Sequence, residues 1–206
     1  MKFIRQLINV MRLWKEKTRV RRQVRQHREN LRIIVGAAST QQDGWINTNY
    51  PVLDLTDGTT FSVLFAQNRV QVFLAEHVWE HLTPQQAVAA CRNCYEALAP
   101  GGYLRMAVPD GLNPDPAYID HVRPGGSGPG SDDHKVLYTY ETLLGLLVSA
   151  GFETRLLEYF DEGGKFHYSE WLPDGGMITR SSRFDKRNAV RPGAYTSLIV
   201  DALKPS

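Results

Sequence analysis

Over the first thirty residues the apolar positions recur every three or four places. Phe3, Leu7, Val10 and Trp14 form one stripe, with Ile4, Ile8 and Met11 beside it. That is the period of an amphipathic helix. From Lys15 onward the stripe thins to Val20 and Val24 among Arg, Lys and Gln. After Asn30 the period changes. Residues 31–35 form a short, mostly apolar run that ends at Gly36, and residues 70–75 and 103–108 form two more. Such runs predict strands buried on both faces. Residues 44–48 and 52–55 read as shorter extended pieces, and 153–160 and 195–202 as two late strands.

Between the strands lie helical segments with start and stop signals. Thr83 is placed as an N-cap with Pro84 at the first helical position, and this helix runs to about Leu98, before Pro100-Gly101-Gly102. A second runs over 139–150, with Thr139 as N-cap and Gly151 as C-cap. Strands alternating with helices predict an α/β domain, with a parallel-rich sheet carrying helices on both faces. The 206 residues divide into a helical extension, 1–30, and one domain, 31–206. The glycine-rich stretch 125–133 reads as a flexible loop on the substrate side. Ligands of open α/β sheets bind beyond the carboxyl ends of the strands, where strand order reverses. That rule collects Gly36, Asn49, Asp54, Glu76, His77, Pro109 and Asp110 around one crevice.

Charge separates the two parts. Up to Arg32 there are eleven Lys and Arg against two Glu; beyond it, thirteen against twenty Asp and Glu. A basic arm on an acidic body leaves three readings of the arm. It packs on its own domain, it lies on an anionic membrane surface with Trp14 and Phe3 inserted, or it binds a partner protein or nucleic acid. The body lacks aromatic residues interleaved with basic ones, which disfavours nucleic acid. No apolar run reaches the ~20 residues of a membrane span. Polar residues interrupt the N-terminal stretch and no small-residue cleavage site follows it, so the expected location is the cytoplasm, with peripheral membrane attachment through the arm left open. Cys91 and Cys94 are spaced C-x-x-C inside a helix, with no second pair to complete a zinc site; they read as structural.

Val35-Gly36-Ala37, Gly44-Trp45-Ile46-Asn47-Thr48-Asn49, Leu53-Asp54-Leu55 and Glu76-His77-Val78-Trp79-Glu80-His81-Leu82 occur in order. They are followed by Leu98-Ala99-Pro100-Gly101-Gly102, by residues 104–110 and by Ala150-Gly151-Phe152. This set resembles a compact class I S-adenosylmethionine-dependent methyltransferase, of the predicted type 11-like subgroup, over about residues 31–205. The resemblance implies a Rossmann-like sheet and S-adenosylmethionine as cofactor. Gly36 and Ala37 would approach its methionine end, Asn49 its ribose, and Asp54 its adenine amine or the adjoining loop. Glu76 and His77 would line the transfer site. The sequence departs from the family at Gly36-Ala37-Ala38, which is not Gly-x-Gly, and at Asn49, where an acid is usual. The stretch from Gly36 to Gly44 is also too short for the usual first helix. His77 is the first candidate for a general base, needed only if the acceptor is an O–H or N–H group. Asp110, His121 and His134 are further candidates around the substrate.

Two features remain. His77-Val78-Trp79-Glu80-His81 is also H-x-x-E-H, the inverted zinc-protease pattern. It follows directly on a strand, and Thr83-Pro84 restarts the helix at once, which leaves no room for a continuous metal-binding helix; no metal ligand is assigned. Near the C-terminus, Arg180, Arg183 and Arg187 lie among aromatic, Gly and Asp residues. They read either as a hairpin with surface ion pairs or as an anion site for the acceptor. The expected function is methyl transfer to a small-molecule or glycan acceptor, with a catalytically degenerate scaffold of the same fold as the alternative.

Overall fold

The computed structural model describes residues 2–27, 30–65, 69–190, 193 and 195–206, with side chains from residue 7 onward. Phe3 and Ile4 of the predicted stripe therefore lie outside the described side chains. The chain opens with helix α1 (Lys2–Gln26), then strands β1 (Leu31–Val35) and β2 (Ile46–Asn47), helix α2 (Gly58–Phe65) and strand β3 (Val70–Glu76). A 3₁₀ turn at Trp79–His81 leads to α3 (Pro84–Ala97) and β4 (Leu98–Val108). Then follow α4 (Pro116–Val122), α5 (Tyr140–Ser149), β5 (Glu153–Phe160), β6 (Phe166–Tyr168), α6 (Arg187–Val190) and β7 (Leu198–Leu203).

The seven strands form one sheet in the order β2-β1-β3-β4-β7-β5-β6. The first four are mutually parallel; β7 inserts antiparallel between β4 and β5. Strand order reverses between β1 and β3, so the carboxyl ends of these two strands flank the crevice that such sheets use for ligands. The predicted N-caps are present; at the end of α5 the C-cap is Ala150, with Gly151 following at φ +99. Thr83 and Gln86 close a capping box at α3, and Thr139 and Thr142 close another at α5. Both satisfy orphan helix-end donors.

Side-chain alternation splits the core. Ile33, Val35, Phe73, Ala75, Leu104, Met106 and Val200 face a cluster that also takes in Val20 and Val24 of α1, Phe61 of α2, Cys91 of α3 and Leu143 of α5. Ile34, Leu74, Ala107, Leu157 and Ile199 face the other way and meet Trp171, Ile178 and Phe184. The expectation of helices on both faces is thus refined. The helices that reach the core gather on one face, and the second is covered by the irregular stretch between β6 and α6. The short link from Gly36 to Ile46 leaves no helix there to do it. Arg105 and Asp201, both buried on this face, form a bidentate pair at 2.7 and 2.8 Å. Arg105 also donates to the carbonyls of Leu172 and Gly176, which ties the covering stretch to the sheet.

Two further expectations change. Residues 52–55 are a turn, not a strand, because the N–H groups of Val52 and Leu53 fold back onto the carbonyl of Asn49. The glycine-rich loop 125–133 is compact: Gly125, Ser127 and Gly128 donate to Ser131, Asp120 and His121, and the Ser131 hydroxyl closes onto Gly128.

Candidate functional site

The crevice begins at Gly36. It follows β1 with φ +59 and is exposed, a conformation that glycine adopts without a Cβ penalty. The neighbouring amides are already committed. Ala37 N–H donates to the carbonyl of Thr48, and Ala38 N–H to the side-chain Oδ1 of Asn49 at 2.8 Å. Asn49 therefore fastens the loop after β1 with its oxygen; among the described residues nothing accepts from its Nδ2. Ala38, Gln41, Asn47 and Asn49 form one wall of an open groove of about 660 Å3, and Arg12, Lys15, Glu16 and Arg19 of α1 form the other. Asp54 lies elsewhere. It accepts from the backbone and hydroxyl of Thr56 and closes the turn before α2.

At the end of β3 the chain bends sharply. The Glu76 carboxylate accepts the N–H groups of Thr179 and Arg180 at 3.0 and 2.8 Å. His77 follows with φ +55, an uncommon backbone for a side-chain-bearing residue. This turns its ring toward β7, where Nε2 meets the Ser197 hydroxyl at 2.9 Å. Ser197 gives its own proton to the Arg180 carbonyl, so it accepts here and His77 Nε2 donates. The other ring nitrogen lies 3.0 Å from Oε1 of Glu80, which is wholly buried, but off the line of a hydrogen bond. Ser197, His77 and Glu80 thus follow the connectivity of a nucleophile–base–carboxylate relay. Ser197, however, is fully buried and its proton is spent, which denies it a nucleophile's part.

One cavity of about 310 Å3 opens beside this turn. It is lined by His77, Glu80 and His81 from the β3–α3 link, His121 from α4, His134, and Arg180 and Arg187. Of the residues singled out in the sequence, His77, His121, His134, Arg180 and Arg187 come together here. Asp110 does not. It is buried and accepts the N–H groups of Leu112 and Phe160, and burial raises its carboxyl above the usual range. Arg183 stacks on Phe184, 4.8 Å from the ring centre, and does not line the cavity. Arg187 is held by a bidentate pair with Asp185 and lies over the Tyr195 ring. Sequence reasoning overlooked Tyr195 and gave His81 and Glu80 no place in the site. The H-x-x-E-H spacing had flagged the last two, but as a helical pair with His77. The 3₁₀ turn instead sends His77 toward Ser197 and His81 toward His134, whose rings meet edge to face at 4.8 Å.

No protein-family model matches the sequence, and no curated protein matches it. The folded chain does have counterparts among solved structures. A chain from the complex between the Haloferax volcanii Trm112 methyltransferase activator and its methyltransferase partner superposes with a TM-score of 0.50 at 11% identity, over 86% of this chain and 83% of the other. An O-methyltransferase family protein from Burkholderia thailandensis gives 0.50 at 9% identity, over 86% of this chain and 51% of that one. At such identity the likeness is one of architecture, and it agrees with the antiparallel β7 and the β1/β3 reversal. The chain has the class I methyltransferase fold.

Proposed function

We propose that the protein is an S-adenosylmethionine-dependent methyltransferase whose acceptor is a small molecule or glycan bearing an anionic group. The observation that carries this reading is the cavity at the carboxyl end of β3 and the amino end of the antiparallel β7, where four histidines meet Arg180 and Arg187 beside the crevice that the fold reserves for a ligand. The residues fit the cofactor at its ribose end. Gly36 leaves its backbone open, and Asn49 retains a donor on the groove beneath α1. Bound there, S-adenosylmethionine would supply an electrophilic methyl group. Arg180 and Arg187 orient the acceptor by its charge. His77 donates from Nε2 to Ser197 and so holds the turn in place; His121, exposed at the cavity rim, is the better-placed ring to take an acceptor proton.

One observation favours the scaffold alternative: Glu76, Ala37 and Ala38 spend their hydrogen bonds inside the protein. Calorimetric titration with S-adenosylmethionine and S-adenosylhomocysteine separates the two readings. Asn49→Asp keeps an acceptor for Ala38 N–H and adds a charge-assisted acceptor for ribose hydroxyls. Micromolar binding by the natural protein, tightened about tenfold by the substitution, is expected of the enzyme. Absence of binding by both proteins would leave the scaffold.

The arm calls for a separate proposal. Val20 and Val24 pack into the core, while Leu7, Ile8, Val10, Met11 and Trp14 are all more than half exposed. Among the described residues no helix is long and apolar enough to cross a membrane. An exposed apolar stripe flanked by Arg12, Lys15 and Lys17 suits the interface of an anionic bilayer, and we propose peripheral attachment by this half of α1 to a membrane facing the cytoplasm.

A further inference from the structure

We infer that the cavity is a metal site, in which Glu80, His81 and His134 hold a divalent first-row transition ion such as zinc. One ligand atom from each residue lies within 4.8 Å of the other two. Ligands around a tetrahedral zinc stand roughly 3.4 Å apart, from bonds of 2.0–2.2 Å, so binding would draw the three atoms together.

The strongest pointer is Glu80. It is wholly buried, yet neither carboxylate oxygen has an aligned hydrogen-bond donor among the described residues. A buried carboxylate is costly unless something compensates it. The other buried acids are all provided for. Glu158 accepts from Trp171, Ser182 and Thr196; Asp110 from two backbone N–H groups; Asp201 from Arg105. Among the described residues Glu80 has only the His77 Nδ1 at 3.0 Å, off the line of a hydrogen bond, and a cation beside His81 and His134 would compensate it.

His134 is oriented as a ligand is. His134 directs Nδ1 at the Val122 carbonyl at 2.6 Å. This fixes the proton on Nδ1 and leaves Nε2 with a lone pair, the arrangement in which a ligating histidine gives its other nitrogen to a carbonyl. His81 has no such hydrogen bond: its Nδ1 lies 3.3 Å from Asp133 Oδ2 but off the line of a bond, which leaves that nitrogen free to ligate. The scaffold is set as well: the N–H groups of Lys135 and Val136 both donate to the Glu80 carbonyl, which brings the residue after His134 onto the Glu80 turn. Two imidazoles and one carboxylate make a three-ligand set that leaves a coordination position open. Arg180 and Arg187 line the same cavity as the three ligands, so an anionic oxygen ligand held by them would suit the open position. The inference does not depend on methyl transfer: failure to bind S-adenosylmethionine would leave it untouched.

The test uses the full chain, stripped with a chelator and titrated with zinc chloride against a chromogenic zinc indicator, with bound metal counted by mass spectrometry. One zinc per chain is expected. Glu80→Gln, His81→Ala and His134→Ala should each weaken binding at least tenfold, the scale of losing a ligand or its support. His167→Ala, a histidine paired with Asp161 on another face, should bind as the natural protein does. Cobalt(II) on the natural protein, which needs no variant to fold, should show the visible absorption of a four-coordinate nitrogen–oxygen site. No stoichiometric zinc, no cobalt spectrum, or unchanged affinity in the Glu80 and His134 variants would overturn the assignment.

Discussion

Val78 places its Cγ2 2.6 Å from the point where a Cβ on Gly36 would stand. One side chain of the 77–82 link, which carries the histidine cavity, thus packs against the β1 turn on the side where a Cβ would stand. Gly36→Ala would meet both this contact and a backbone at φ +59. A left-handed non-glycine residue costs about 1–3 kcal/mol, and the overlap adds to that. Urea unfolding should show a loss of that size. Val78→Ala removes the overlap but not the backbone strain, so the double variant should recover part of it, with a coupling of at least ~0.5 kcal/mol. Additive losses would mean that the two residues do not share the contact.

The frame of this molecule could be read from its sequence because the signals were local. The apolar runs that became β1, β3 and β4, and the caps at Thr83 and Thr139, depend on neighbours in the chain. What covers the second face of the sheet depends on distant partners: Arg105 reaches Leu172, Gly176 and Asp201, and no spacing announces that. The cavity shows the same division. His77, His121, His134, Arg180 and Arg187 could be suspected one at a time, but Glu80 required knowing that the turn after β3 is 3₁₀ and buried. Asp110 and Asp54 had the same residue type as a ligand-binding acid. Only their hydrogen bonds reveal turn-closing roles.

Arg105→Met should be the most damaging single change outside the hydrophobic core. It strands Asp201, which is 8% exposed, and frees two carbonyls of the covering stretch. Removing one partner of a buried pair costs about 3–5 kcal/mol. Denaturant unfolding checks the magnitude. Limited proteolysis checks the mechanism, because cleavage should rise within residues 172–187 before it rises elsewhere. Adding Asp201→Leu should restore much of the stability, since a buried pair replaced by packed apolar residues is often neutral. A double variant as weak as Arg105→Met alone would argue that the contacts to Leu172 and Gly176 dominate.

The two cysteines should be inert in the native protein. Burial pushes the Cys91 thiol up to about 12 and raises that of Cys94 as well. The thiolate is the reactive form, so at pH 8 almost none is present on the folded chain. A disulfide reagent should therefore modify neither residue in buffer and both in urea. Raising the pH to 9 should accelerate the native reaction only as far as it increases unfolding. Rapid native labelling at pH 8 would contradict the buried placement of α3.

Attachment of the arm to a membrane is best tested without removing it. Val20 and Val24 belong to the core, so deleting residues 1–30 would expose apolar surface and produce sticky protein whatever the arm does. Met11→Ser and Trp14→Ser remove apolar groups that are already exposed, and surface changes of this kind alter stability by only about 0.5 kcal/mol or less. Sedimentation with vesicles containing anionic lipid should carry down the natural protein, and much less of the double variant. Neutral vesicles should carry down little of either, and 0.5 M salt should weaken the anionic case, because the basic residues act through a screened field. If the variant sediments as well as the natural protein, the apolar stripe is not inserted. Sedimentation equal on neutral and anionic vesicles would instead mean that the basic residues play no part.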